Sequence, residues 1–291
     1  MKAAHYDIIM IGHISKDVLV YGGVEEKLVG GAVVYSSVSA RKAGASVLVV
    51  TKACSSDRKL LEPYKKHGIT FVIIDSPQTT SLRNVYLTED RERRTITLLS
   101  QADSFTAEDI PELKTRIFHL AGLFRGEIPD ELIPTLARKA QLALDVQGVL
   151  RIDEGGKLVF KDWENKQRLL PLITYLKTDA AEAEILTGET NRERAAELLH
   201  GMGAREVMIT HNTEVIVYDG KGIYRAPFTS KTLLGRTGRG DTCFAAYLAW
   251  RHSHGIEEAV RFAAALTSIK MESPGVFRGS IRKVRARMAA G

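Results

Sequence analysis

Residues 6–12 read YDIIMIG, an apolar run so nearly continuous that it suits a central parallel strand buried on both faces. The chain then repeats the theme. Gly30-Gly31 precedes AVVYSSVSARKAG (32–44), whose apolar spacing predicts a helix; SVLVVTKA (46–53) predicts a strand, SDRKLLEPYKKHG (56–68) a helix and TFVIIDS (70–76) a strand. Strands are also predicted at 116–122, 142–148, 173–179 and 206–210, with helices between them, including 129–140 and 191–203, the latter capped by Asn191. After a hairpin over 214–228 the last third is helical: 241–255, 256–272 and a short basic tail. This alternation predicts an α/β fold, a doubly wound and mostly parallel sheet flanked by helices. Two segments break the rhythm. SLRNVYLTE (81–89) and RRTITLLSQA (93–102) alternate apolar and polar residues around the turn 89–92, and 18–29 folds back at Gly22-Gly23. They predict hairpins solvated on one face, forming a small β-sheet lid of about residues 18–29 and 80–101 on a single domain, 1–291.

Composition narrows the function. No stretch of about eighteen apolar residues occurs, so no membrane partner is expected. The N-terminus lacks a signal-peptide pattern, and the two cysteines, Cys54 and Cys243, are too widely spaced for a disulfide framework or zinc knuckle; a reduced cytoplasm is expected. The net charge of +6 is scattered except for Arg91–Arg94 and RKVRAR near the C-terminus, which read as solvated faces. No aromatic-studded basic platform accompanies them, so the expected anionic partner is a phosphate-bearing small molecule and not a nucleic acid.

The chemistry concentrates in GRTGRGDT (235–242), followed by Phe244, Ala245, Leu248 and Ala249 at helical spacing. Glycines at a helix N-terminus let unpaired amides converge on an anion, which the helix dipole also favours. No Gly-Lys-Ser/Thr ending is present, so this is not a Walker A loop. Asp241 beside such a turn reads in two ways: as a general base of phosphoryl transfer, with the Gly238–Gly240 amides holding the migrating charge, or as an N-terminal residue complementing the dipole.

The turn resembles the C-terminal signature of the PfkB/ribokinase family, Asp-Thr-x-Gly-Ala-Gly-Asp, matched here by Thr237-Gly238-Arg239-Gly240-Asp241, with Arg236 and Arg239 as departures. The resemblance covers nearly the whole chain and implies a ribokinase-like fold and an ATP-dependent kinase using Mg2+. It makes Asp241 the catalytic base, with Gly238, Arg239 and Gly240 beside it. It assigns Asp17 and Gly30-Gly31 to the substrate. It matches the family's Asn-x-x-Glu motif to Asp179-Ala180-Ala181-Glu182, implying a role for Asp179 and Glu182 at the metal. Thr210 and Thr237, with Asp179, Gly238 and Gly240, would face the nucleotide phosphates, and Gly275 would lie beside the adenine.

DVQGVLR (145–151) ends a predicted strand, where ligands of open α/β sheets collect. It is similar to the segment of the myo-inositol 3-kinase branch, which implies that Asp145, Gln147 and Arg151 bind a small polyol, myo-inositol first. Ribose, fructose, a ketodeoxy sugar acid or a nucleoside remain alternative acceptors; a nucleoside would want a stacking surface, for which Tyr35 and Tyr86 are candidates. A ligand sensor without catalysis is the reading from another class. Exposed lid edges also make a homodimer through the lid one way to cover them. His119, His211, His252 and His254 have no acidic or cysteine cluster nearby and are not read as metal ligands; Cys243 is read as buried packing.

Overall fold

The structure is a computed structural model that describes residues 5–86 and 94–290. The turn expected at 89–92 lies outside the described residues. Strands β1 (His5–Ile11), β2 (Ser15–Tyr21), β3 (Val24–Gly30), β4 (Val47–Ala53), β5 (Thr70–Asp75), β6 (Thr80–Tyr86), β7 (Arg94–Ser100) and β8 (Lys114–Leu120) make up the first half. The second half holds β9 (Gln141–Asp145), β10 (Arg151–Glu154), β11 (Lys157–Phe160), β12 (Tyr175–Asp179), β13 (Glu206–Thr210), β14 (Glu214–Tyr218) and β15 (Ile223–Pro227). The helices are α1 (Ala32–Lys42), α2 (Glu62–Lys65), α3 (Leu132–Ala137), α4 (Gln147–Leu150), α5 (Lys166–Leu169), α6 (Ala180–Thr187), α7 (Arg192–Gly201), α8 (Arg239–Arg251), α9 (Ile256–Met271) and α10 (Ile281–Ala290).

Nine strands form the main sheet in the order β15-β14-β13-β12-β9-β8-β1-β4-β5. From β13 to β5 all neighbours are parallel; the hairpin β14-β15 closes one edge antiparallel. The chain winds outward from β1 through β4 to β5, then returns and winds the other way from β8. The order therefore reverses between β1 and β8, and the crevice at the strands' carboxyl ends beside that reversal is where such sheets bind ligands.

The apolar run of β1 is buried on both faces because the sheet is covered on both. Ile8 and Met10 join a core with α1, α8 and α9; Ile9 and Ile11 point the other way, toward Leu132, Leu136, Leu169 and Leu199. Each fully buried side chain of this size contributes roughly 1.5–3 kcal/mol. Residues 56–68 form a 3-10 turn followed by the four-residue α2 with Pro63 in its first turn, instead of one long helix.

The second sheet has six strands in the order β10-β11-β7-β6-β2-β3. The two expected hairpins are there, β2 with β3 antiparallel and β6 with β7 antiparallel, joined by the parallel pair β2-β6. The third hairpin, β10-β11, was not anticipated; its strands have only four residues each and turn at Gly155-Gly156. The lid joins the core at buried His13, whose amide donates to Glu127 Oε1 (2.6 Å) while its ring contacts Thr80 Oγ1 (2.9 Å) and the carbonyl of Asp103 (3.1 Å). Fully satisfied buried polar networks of this kind are rigid, so they fix where the lid sits over the sheet.

Candidate active site

A cavity of about 490 Å3 lies between the lid and the carboxyl ends of the main strands. Along the sheet its wall runs from Thr210 on β13, past Lys177 and Asp179 on β12, to Gln147 and Arg151 after β9. The lid closes it with Asp17, Leu19, Leu82, Asn84, Tyr86, Ile96 and Phe160. The start of α8 reaches into its middle: Arg236, Thr237, Gly238, Arg239, Gly240 and Asp241 all line it.

Local geometry explains the glycine turn. Gly238 is the N-cap of α8, with φ +77° and no side-chain cap, and a Cβ there would meet the Tyr35 ring at 2.4 Å. Only glycine fits both conditions. The Arg239 amide donates to the Arg236 carbonyl (3.0 Å) and is spent inside the turn. Among the described residues the amides of Gly238, Gly240 and Asp241 have no protein acceptor. The open amides of the turn are thus those of Gly238, Gly240 and Asp241, whereas the sequence pointed to Gly238–Gly240. Tyr86 Oη lies 3.2 Å from Thr237 Oγ1, so the lid touches the turn directly.

Asp241 opens partly to the cavity but is set deep in the protein. Burial and nearby Asp145 push its carboxyl up to about 6, against the pull of Lys177, Lys270 and Arg151. Near neutral pH such a group is ionised yet basic enough to take a hydroxyl proton. Beneath the turn is Lys177, buried at 6% exposure, which pairs with Asp145 (2.9 Å) and lies 3.8 Å from Glu182. Burial disfavours its ammonium, but Asp145, Glu182, Asp179 and Asp241 outweigh that and hold its pKa well above the usual lysine value. A Cβ on Gly240 would lie 3.1 Å from Lys177 Nζ, so this cation backs the amides from within the sheet.

Asp179 and Glu182 form a capping box at the start of α6. Asp179 Oδ1 accepts the Glu182 amide and Glu182 Oε2 accepts the Asp179 amide, both at 2.8 Å. Burial and Asp179 push the Glu182 carboxyl up to about 8 against Lys177. Among the described residues no three His, Cys, Asp or Glu side chains cluster to enclose a metal ion. The pair still fits Mg2+, which prefers one or two carboxylates completed by phosphate oxygens and water.

On the other side, Asp17 projects from β2, next to Gly30 of the paired strand β3, and Gly31 turns into α1 with φ +100° against the His13 carbonyl. Arg151 is buried, donates from Nη2 to Gln147 Oε1 (2.7 Å) and lies over the Phe160 ring at 5.4 Å. That bond fixes the Gln147 amide and leaves its nitrogen to donate elsewhere. Asp145 is not on the wall; it lies under it, bonded to Lys177 and to the Gln147 amide (3.1 Å). Gly275 is not on the wall either and sits in an exposed turn. Lys177 and Asn84 were missed by sequence reasoning. The only signal for Lys177 was a lysine inside ITYLKTD, a segment read as a strand of the main sheet. A larger cavity, about 560 Å3, opens at the opposite end of the sheet beside Ile8, Ala45 and Trp250. Its Asp7 is bonded to Ser46 and Arg116 to His252, so its polar groups are used by one another.

The match to the pfkB family carbohydrate kinases spans residues 2–282. Among solved structures, a pyrophosphate-dependent kinase in the ribokinase family, complexed with a pyrophosphate analog and myo-inositol, is 39% identical with a TM-score of 0.89, covering 96% of this chain and 99% of that one. A pyrophosphate-dependent myo-inositol-1 kinase converted into a myo-inositol-3 kinase by mutation is 38% identical with a TM-score of 0.89, covering 97% and 99%. A cytidine kinase of Thermococcus kodakarensis is 28% identical over 269 residues, 88% of this chain and 92% of that protein. The nine-stranded sheet and the smaller lid sheet agree with these likenesses, and the chain belongs to the pfkB family of carbohydrate kinases.

Proposed function

We propose that this kinase transfers a phosphoryl group to one hydroxyl of myo-inositol or a closely related polyol, with pyrophosphate as the donor. The observation that carries the reading is the position of Asp241, between the open amides of the α8 turn and a wall suited to hydroxyls. Asp17 accepts hydrogen bonds, Arg151 donates them, and Asn84 and Gln147 do both, so the wall complements a ring bearing hydroxyls all round. Asp241 takes the proton of the attacking hydroxyl, whose oxygen forms the new bond to phosphorus as the bond to the leaving phosphate breaks. The amides of Gly238, Gly240 and Asp241, backed by Lys177, hold the migrating charge. Asp179 and Glu182 would hold Mg2+ together with donor oxygens, and the ion would neutralise charge on the leaving phosphate.

Pyrophosphate replaces the ATP expected from the sequence for two reasons. Two similar structures, at 39% and 38% identity, are of pyrophosphate-dependent kinases. Thr210, Arg236 and Arg239 also line the cavity, and their donors suit a compact polyanion. The apolar residues Leu19, Leu82 and Ile96 sit on the lid side. The second reading is a nucleoside kinase, favoured by the cytidine kinase likeness. Against it, Tyr35 and Tyr86 are buried at 6% and 7% exposure, one under Gly238 and the other bonded to Thr237, which leaves neither as a stacking platform.

The test offers the purified protein pyrophosphate or ATP with Mg2+ and a panel of polyols, sugars and nucleosides, reading products by phosphorus NMR. Inositol monophosphate formed from pyrophosphate is expected. Turnover of cytidine without inositol would overturn the acceptor, and turnover with ATP alone would overturn the donor.

A further inference from the structure

Lys270 on α9 is 1% exposed, and none of the ion pairs among the described residues involves it. Its Nζ donates to the Gly235 carbonyl (2.6 Å) and to the Thr237 carbonyl, and it sits 5.0 Å over the Tyr35 ring. The next residue of α9, Met271, accepts the Gly235 amide at 2.8 Å. The end of α9 therefore grips the chain just before the catalytic turn by a cation and a carbonyl. A buried ammonium without a bonded carboxylate is costly, and packing alone would favour an apolar residue at this place.

The carbonyl of one residue and the N–H of the next share a rigid plane and point in opposite directions. Holding the Thr237 oxygen toward α9 thus turns the Gly238 N–H away from it, toward the cavity that Gly238 lines. We propose that Lys270 is a positioning residue, an internal cation that orients the Thr237–Gly238 peptide so that its N–H faces the transferring phosphoryl group. The inference rests on the α8 turn being the phosphoryl site. Burial lowers Lys270 to about 8, and Asp241 opposes that shift, so the cation and the general base also stabilise each other's charged forms.

The test compares Lys270→Met, Lys270→Arg and Lys270→Ala, the last with and without propylammonium, which restores the deleted atoms and charge. In Lys270→Met, kcat is expected to fall about 100-fold, the size of effect seen when one oxyanion donor is lost, with the acceptor KM within threefold. Lys270→Arg is expected to keep at least tenfold more activity than Lys270→Met, and propylammonium to raise the kcat of Lys270→Ala at least tenfold. A merely structural lysine predicts no amine effect. A Lys270→Met kcat within threefold of the unaltered protein would overturn the proposal, as would equal activity of Met and Arg variants with no amine rescue. Where the Met variant does not fold, the Arg variant and the amine arm decide. If the unaltered protein transfers no phosphoryl group from any donor, the kinase reading fails separately. Pyrophosphate titration calorimetry then reads the proposal, at least a tenfold weaker affinity in Lys270→Met being expected and an unchanged one overturning it.

Discussion

Two helix starts face the same cavity and are built in opposite ways. At α6 the chain satisfies itself: Asp179 and Glu182 exchange amide bonds in a capping box. At α8 the cap is Gly238, with no side chain to contribute, and the amides of Gly238, Gly240 and Asp241 are left without a protein partner among the described residues. A glycine in place of a side-chain cap costs only about a few tenths of a kcal/mol of local stability. Two buried cations, Lys177 from β12 and Lys270 from α9, brace this second helix start from behind. The comparison separates a helix start whose amides its own side chains cap from one whose amides are left open.

The largest expected effect breaks the α8 side. Asp241→Asn keeps shape and removes the base, and should lower kcat by about 10³-fold while pyrophosphate affinity stays within a few-fold. Turnover near that of the unaltered protein would take Asp241 out of the chemistry. Its ionisation gives the accompanying pH dependence. The base form prevails above its pKa, so activity is lost as pH falls through about 6, well above where an ordinary carboxylate would lose it. An acid limb near 4 would contradict the environment described for this group. The smallest effect is one on stability, from the capping box of α6. Asp179→Ala removes the acceptor of the Glu182 amide and should cost about 1 kcal/mol in denaturant unfolding. No measurable loss would mean that the capping box is not a stabilising device.

How much of this was legible in the sequence depends on the range of the contacts involved. The α8 turn could be read because everything it needs is local: glycines, then an aspartate, then helical apolar spacing. Gln147 and Arg151 also meet across one turn, but they were picked out by the resemblance to the myo-inositol 3-kinase branch. Asp179 and Glu182 were visible through the resemblance to the family's Asn-x-x-Glu motif, but its spacing is also that of a capping box, and the two uses are not exclusive. Lys270 was invisible and Lys177 stood out only by its place in a strand, since neither shows its partner until the fold brings Asp145 from 32 residues away or Gly235 from 35. The hairpin of β10 and β11 carried a signal in the two glycines of RIDEGGKLVF, but its four-residue strands are at the lower limit of length and KLVF does not alternate.

The most direct test follows the backbone amides themselves by nitrogen–proton NMR as pyrophosphate is added. Large shifts are expected at Gly238, Gly240 and Asp241, with far smaller ones at the capped Glu182 amide. Shifts centred on α6, with the α8 turn unmoved, would contradict a phosphoryl site at α8.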